Sequence, residues 1–317
     1  MTPERIRDTT GRDPANARAL TRDDAEYPVH LRGLPAAPET LHVRGTLAER
    51  DALAIAVVGS RRATPYGLEV AETLAADLAA RGATIVSGLA RGIDTAAHRG
   101  ALRVGGRTLA VLGCGVDVVY PPENARLAEQ IVAHGALLSQ FAPGTPPLPH
   151  HFPTRNAVIA GLSLAVVVVE AAERSGSLIT ARLAAELGRE VLAVPGRVTA
   201  AESRGANRLI QDGAALALGW EDVAGALPER WKARLDTRPR VEAAGRTGSG
   251  RDDGDGPTSA ASRRVLALLG EDPLEIDHVI ERSGLAAGPV SAALLDLELE
   301  GRVRQIEGKR FVRVGRG

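Results

Sequence analysis

A single cysteine, Cys114, stands among the 317 residues. No intrachain disulfide can brace the fold, and one lone thiol suits a reducing, cytoplasmic setting. Aromatic side chains are almost as scarce, with two Trp, three Tyr and three Phe making up 3% of the chain. The core must therefore come from Ala, Val, Leu and Ile, and any ring near a ligand-facing position stands out. Neither sign of charge predominates: Lys plus Arg number 39, Asp plus Glu 39, and the isoelectric point is about 7.1. A global attraction for polyanions is thereby excluded, and any basic surface has to arise from segregation on the fold. Long hydrophobic runs are missing too. Runs such as Leu164 to Val169 fall far short of the ~20 residues that cross a bilayer. The first twenty residues, MTPERIRDTTGRDPANARAL, are charged and lack the apolar stretch of a secretory leader. No membrane partner is expected. The pair His150-His151 lacks a third ligand at metal spacing, so neither a metal nor a cofactor is expected.

What is present has a clear order. Residues 1–23 are polar and without periodicity, and are expected to form a disordered tail. The segment 24–47, with Tyr27-Pro28, Pro35 and Pro38, reads as an irregular lead-in packed on the edge of a domain. From Ala54 onward short apolar runs recur: AIAVVG (54–59), TIVSG (84–88), TLAVLG (108–113), ALLSQF (136–141), AVVVVEA (165–171), EVLAVPG (190–196) and ALALG (215–219). They are apolar on both faces, as covered parallel strands are. Helical segments lie between most of them, so right-handed βαβ crossovers and a doubly wound, Rossmann-type parallel sheet are predicted over 24–235. Residues 236–259, rich in Gly, Asp, Arg and Ser, read as a flexible linker. Over 260–317, three short helices and a hairpin turning at Glu307-Gly308 give a winged-helix pattern.

Several strands end in Gly, Ser or Arg at the sheet's carboxyl edge, where doubly wound sheets bind ligands. In Gly59-Ser60-Arg61-Arg62, the glycine allows close backbone approach and the arginines add charge for a phosphate. A tight strand-to-helix turn explains Gly59 alone but not two adjacent arginines. The run lacks the GxGxxG spacing, and no acidic residue ends the next strand, so a dinucleotide is not expected. The second edge is Ser87-Gly88-Leu89-Ala90-Arg91-Gly92-Ile93-Asp94. It offers Gly88 and Arg91 to the rim, with Asp94 as a helix N-cap and His98 as a packed or surface histidine. Phe152 sits beside Arg155 and Asn156, in a loop entering a helix that begins near Asn156. Aromatic plus arginine is how sequence-tolerant base stacking is built, although Phe152 reads equally well as a hydrophobic staple. Ser175-Gly176-Ser177 opens another helix with small groups and hydroxyls. Glu170 is the best candidate for a catalytic carboxylate, but no second carboxylate or nucleophile stands beside it.

In order, GSRRATPYG, SGLARGIDTAAHRGAL, TLAVLGCGVDVVYPPEN, HHFPTRNAVIAGLS, VVVVEAAERSGSLITARLAAELGREVLAVPG and GANRLIQDGAAL resemble the DNA-processing protein DprA (Smf) family over residues 24–225, with further similarity in the winged helix. The resemblance implies a non-enzymatic, homodimeric single-stranded-DNA binder that protects DNA during natural transformation and loads RecA. It places the family's GSR arginine on Arg61 or Arg62, and the phosphate-gripping groove on Gly59-Ser60, on Phe152, Arg155 and Asn156, and on Ser175 to Ser177. Dimer contacts fall on Leu209, Ile210 and Leu216, and a RecA contact on Gln211. Read without the resemblance, Ile210 and Leu216 serve equally as core residues. Many relatives carry lysines where this chain has Pro122 and Pro149-His150, so fewer groove charges are expected. The helical N-terminal domain of many relatives is expected to be missing.

Two other readings are weaker. A nucleotide phosphoribohydrolase of the lysine-decarboxylase-like group needs PGGxGTxxE, whereas SGSLITARL stands here and Glu186 lies too far along. A transcription factor needs a basic recognition helix, and the third helix of the small domain carries Asp296, Glu298 and Glu300.

Overall fold

The computed structural model describes residues 17–34, 37–235, 260–270, 273–299, 302–306 and 310–313. The chain forms two compact units, residues 1–241 and 242–317. The proposed linker and the hairpin turn at Glu307-Gly308 lie outside the described residues.

In the first unit β1 (Ala17–Thr21), α1 (Val29–Arg32) and β2 (Thr40–Gly45) precede the alternating part. Then come β3 (Ala54–Val58), α2 (Pro65–Ala80), β4 (Thr84–Ser87), α3 (Ile93–Arg103), β5 (Thr108–Val111), α4 (Ala125–His134), β6 (Ala136–Ser139) and α5 (His151–Leu162). The unit continues with β7 (Ala165–Val168), α6 (Gly176–Glu186), β8 (Glu190–Ala193), α7 (Arg204–Gln211), β9 (Ala215–Leu216), α8 (Trp220–Ala226) and α9 (Glu229–Lys232). The nine strands make one sheet in the order β1-β2-β6-β5-β4-β3-β7-β8-β9. From β6 to β9 every pairing is parallel, with Val57 opposite Val167 at its centre.

Two expectations at the amino end are corrected. Residues 17–21 belong to no tail, because they pair antiparallel with β2, Leu20 facing Leu41. The lead-in is not irregular throughout either: β2 inserts antiparallel against β6, with Val43 opposite Leu138. Its alternation (Leu41 and Val43 buried, His42 and Arg44 part-exposed) is the period-2 signature of a strand, masked in the sequence by the prolines around it.

Alternate side chains of the central strands feed opposite faces. Ala56, Val58 and Val168 join a cluster containing α5 and α6 residues such as Val158 and Ala181. Ile55, Val57 and Val167 join Leu74, Leu78 and Ile93 of α2 and α3. The helix after β3 and the helix after neighbouring β7 thus cover opposite faces. The loops leaving these strands diverge, and a crevice opens at the carboxyl edge between them.

In the second unit α10 (Ala260–Leu268), β10 (Leu274–Glu275), α11 (Ile276–Ser283), α12 (Ala287–Leu299), β11 (Val303–Ile306) and β12 (Arg310–Arg313) form a winged helix. Its sheet runs β10-β12-β11 over a core that includes Val265, Val279, Leu294 and Phe311. Strand β10, two residues long, had no sequence signal of its own.

Candidate nucleic-acid interface

The crevice is a trough of about 700 Å³. Gly59 to Arg62 form one wall, Phe152, Arg155 and Asn156 the other, and Ser175 to Ser177 one end. A small slot adjoins it, sharing Arg61 and Phe152 and adding Gly88 and Arg91. Ten of the twelve residues expected at the rim line the trough and the other two, Gly88 and Arg91, line the slot, but not in the roles expected of each.

The first wall is fixed in its backbone and free in its side chains. Ser60 N–H donates to the Glu170 carbonyl at 2.7 Å, and Ile93 N–H donates to the Ser60 carbonyl at 3.2 Å. Close approach demands glycine at position 59, where a Cβ would lie 2.6 Å from Ile93 Cγ1 and 2.8 Å from the Glu170 oxygen. Arg62 N–H donates to Ser60 Oγ at 3.1 Å. Arg61 and Arg62 themselves are exposed, with no ion-pair partner among the described residues. The Arg61 guanidinium lies 4.8 Å from the centre of the Phe152 ring, a cation–π distance.

Glu170 is no free carboxylate. It is buried, and its oxygens accept from Thr64 N–H (2.9 Å) and Thr64 Oγ1 (2.6 Å). Thr64 in turn caps α2, accepting from Gly67 N–H at 3.1 Å. The acid holds the loop that carries the arginines.

The second wall is the reverse. Helix α5 begins at His151 rather than near Asn156, with Pro153 in its first turn, where proline is tolerated. Phe152, Arg155 and Asn156 thus stand three and four apart, on one helix face toward the trough. Phe152 is inside the helix, which removes the staple reading. Arg155, expected as a phosphate contact, is only 3% exposed. Its Nη1 donates to the carbonyls of Gly88 and Val111, each at 2.6 Å, and its Nε donates to Asn156 Oδ1 at 3.1 Å. This arginine joins the ends of β4 and β5 from beneath the rim, so its expected role is corrected to an internal brace. Gly88 must be glycine here, since a Cβ would fall 2.0 Å from Arg155 Nη1. Asn156 is buried as well, donating to the Gly176 carbonyl at 3.2 Å.

Asp94 completes the brace. It is not an N-cap but a buried carboxylate in the first turn of α3, accepting from Gly88 N–H at 3.1 Å and Ala90 N–H at 3.3 Å. Between them Leu89 takes the left-handed backbone (φ 57°) that turns both N–H groups onto it. Burial raises the Asp94 carboxyl above the ordinary range, and the Arg155 charge opposes that rise. Burial likewise lowers Arg155, with Asp94 opposing. His98 is fully buried, and burial, with Arg155 adding to it, pushes its ring down to about 3. Thr108 Oγ1 donates to the Ile85 carbonyl, so at 2.7 Å it accepts from His98 Nδ1–H. The histidine is a packed neutral residue.

Arg91 is exposed at the slot but ion-paired with Glu123, whose carboxyl the Arg91 hydrogen bond lowers. Tyr120, not anticipated, lines both trough and slot, its ring 5.9 Å from that of Phe152. With only three Tyr in the chain, its place just after the third long strand run was the available signal. Arg174, also not anticipated, lines the trough beside Ser175. Ser177 is buried and shares a 2.7 Å hydroxyl contact with Ser175. Pro149 lines the trough where relatives are expected to have lysine, leaving that stretch uncharged. Cys114 is buried, its thiol raised to about 11 by burial. Among the described residues no cluster of His, Cys, Asp or Glu could hold a metal. His151 instead stacks on Phe141 at 4.0 Å and approaches the Gly113 carbonyl at 3.2 Å. No helix among the described residues is long and apolar enough to cross a membrane.

Leu209, Ile210, Gln211 and Leu216 lie apart from the trough, on α7 and edge strand β9. Leu209 and Ile210 pack partly against the core. Leu216 is 41% exposed, and Gln211 is exposed.

Fold and site together define a class: a doubly wound α/β domain whose carboxyl rim is a cationic, aromatic-lined trough with no free carboxylate pair. The chain belongs to the DNA recombination-mediator protein A family, whose model matches residues 18–228, while the DprA winged helix domain matches residues 251–309. It is 40% identical to Protein Smf of Escherichia coli, across 95% of this chain and 78% of that one. It is 46% identical to the DNA processing protein DprA of Streptococcus pneumoniae over 62% of this chain and 70% of the relative. The solved structure of the pneumococcal protein superposes with a TM-score of 0.63 at 43% identity, covering 68% of this chain and 75% of that one. A structure of DNA processing protein A from Helicobacter pylori, described for its single-stranded DNA binding mode, has a TM-score of 0.59 at 31% identity, covering 66% and 94%.

Proposed function

We propose that the trough binds the sugar–phosphate backbone of single-stranded DNA, without chemistry. In this reading the chain is a cytoplasmic recombination mediator that protects incoming strands and loads RecA during natural transformation. The observation that carries the reading is the pairing of a rigid loop with free cations: Arg61 and Arg62 project from an anchored turn, and Arg61 stands over Phe152 beside Tyr120. Phosphates meet the guanidinium groups while bases stack on rings, a sequence-tolerant combination. The description of the Helicobacter pylori relative agrees with it. Against a nucleotide hydrolase stands Glu170, buried and committed to Thr64.

A gel-shift titration with single- and double-stranded DNA of equal length, with mononucleotide hydrolysis assayed in parallel, tests the reading. Single strands should win. The Arg61→Ala, Arg62→Ala double variant should flatten the log–log salt dependence by roughly 1.4, about 0.7 for each phosphate released. A double variant binding like the parent would place the groove elsewhere.

Dimerisation through α7 and β9 belongs to the same proposal. Leu216 on edge strand β9 and Leu218 just beyond it, 41% and 77% exposed, border a sheet edge that a monomer leaves unpaired. Leu216→Glu should give a folded monomer by light scattering, and Gln211→Ala should slow RecA nucleation on bound strands without weakening their binding. The winged helix is proposed as an auxiliary, protein-contacting module. Residues 260–317 hold nine Lys/Arg against nine Asp/Glu, and α12 carries Asp296 and Glu298 where a groove-reading helix would be basic.

A further inference from the structure

We propose that the bound strand does not end at the rim: it continues past Arg61 into the groove between α2 and α3, where Arg99 takes a further phosphate. The inference rests on the reading of the trough as a single-strand site. Arg61 lines three adjoining cavities, namely the trough, the slot and a groove of about 370 Å³. A strand laid across Arg61 therefore has a way onward. The groove is lined by Arg61, Ala63, Leu68, Glu72, Thr95 and Arg99, together with Gly92 and Ala96. Its charge balance favours a polyanion. Glu72, the acidic member, faces Arg103 at 3.6 Å. Arg99 is exposed and has no ion-pair partner among the described residues. Two guanidinium groups without ion-pair partners among the described residues, Arg61 and Arg99, then line one groove.

Its shape favours a chain over an enclosed small molecule. Helices α2 and α3 touch at their backbones, and a Cβ on Gly100 would lie 2.1 Å from the Glu72 carbonyl. Beside Arg99 the two helices are thus in closed backbone contact. A ligand can lie along the groove but cannot sink between the helices. Leu68, 39% exposed, gives an apolar flank for a sugar or base. Arg91 and Arg103 show the contrast, since each is held by a carboxylate, Glu123 and Glu72 respectively.

The test is fluorescence anisotropy of the full chain with oligothymidylates of increasing length, at several salt concentrations. Parent, Arg99→Ala and the Arg61→Ala, Arg62→Ala double variant are compared. Position 99 is exposed on a helix and alanine is the best helix former, so the variant should melt with the parent. For long oligomers Arg99→Ala should flatten the salt slope by about 0.7. It should weaken low-salt binding roughly three- to tenfold, the net size of one solvent-exposed hydrogen bond. That deficit should vanish with the shortest oligomer the parent still binds, while the double variant stays weak at every length. Parent-like slopes for Arg99→Ala at all lengths, beside a weak double variant, would overturn the extension and leave the trough intact. An equal deficit on short and long oligomers would also overturn it, marking Arg99 as a diffuse field. If the double variant also bound like the parent, the trough reading itself would fall.

Discussion

The two walls of the trough use arginine in opposite ways. On the β3–α2 loop, Arg61 and Arg62 are exposed, lack ion-pair partners among the described residues, and sit on a backbone pinned by Glu170 and Ile93. On α5, Arg155 is buried, gives its Nη1 protons to two strand-end carbonyls and faces the buried Asp94 across Gly88. One wall keeps its charge for a ligand, and the other spends its charge on holding the rim together. Burial decides between them. A guanidinium in water can exchange its hydration for a phosphate at little cost, whereas a buried one is already committed and costs several kcal/mol to strand. Positive residues counted in a motif are therefore not positive residues offered to DNA.

The contrast predicts separable phenotypes. Arg155→Ala leaves Asp94 without its counter-charge and the Gly88 and Val111 carbonyls without their donor. Chemical denaturation should show a loss of about 3–5 kcal/mol. Arg61→Ala, judged by the same measurement, should stay within about 0.5 kcal/mol of the parent while binding single strands more weakly. Similar stability losses for the two would erase the distinction between the walls.

The buried side also predicts an acid limb. His98 is held neutral in the fold with its ring near 3, against 6.5 when exposed. Its folded value is the lower one, so the unfolded chain takes up the extra proton. Stability from this residue is complete above pH 6.5 and is lost as pH falls toward about 3, at roughly 1 kcal/mol per pH unit. His98→Gln should flatten that limb of the stability profile. An unaltered slope would mean that the ring is not desolvated.

The smallest effect lies on the exposed side, where Glu123 occupies Arg91 at the mouth of the slot. Glu123→Gln should free that guanidinium and strengthen low-salt single-strand binding roughly two- to fivefold, the scale of an exposed pair. The salt slope should steepen by about 0.7 if the freed group takes one phosphate. Unchanged binding would show that Arg91 points away from the strand.

Much of this was legible from residue order alone. Seven apolar runs, most of them ended by small residues, specify parallel strands and a binding edge, because a strand covered on both faces must be apolar throughout. The composition of the winged helix was equally readable, including its acidic third helix. Strand β2 was not. Its four alternating residues are too few against neighbouring prolines, and only the edge offered by β6 makes them a strand. Tyr120 was missed because a ring in a loop has no periodicity to give it away.

By itself the sequence determined the layering, the carboxyl rim and the set of residues gathered there, since hydrophobic pattern and glycine placement are local properties. Only the tertiary structure decided which of those residues are free. Arg61 and Arg155 look alike in the chain, and nothing near either one says that α5 starts at His151 and turns Arg155 beneath the rim. Nor does it say that Glu170, 106 residues along the chain, closes on Thr64, or that Asp94 turns back onto Gly88. Burial and charge partnership are sums over neighbours that become neighbours only when the sheet assembles. Whether an arginine meets solvent or a carbonyl is therefore settled by packing and not by its own motif.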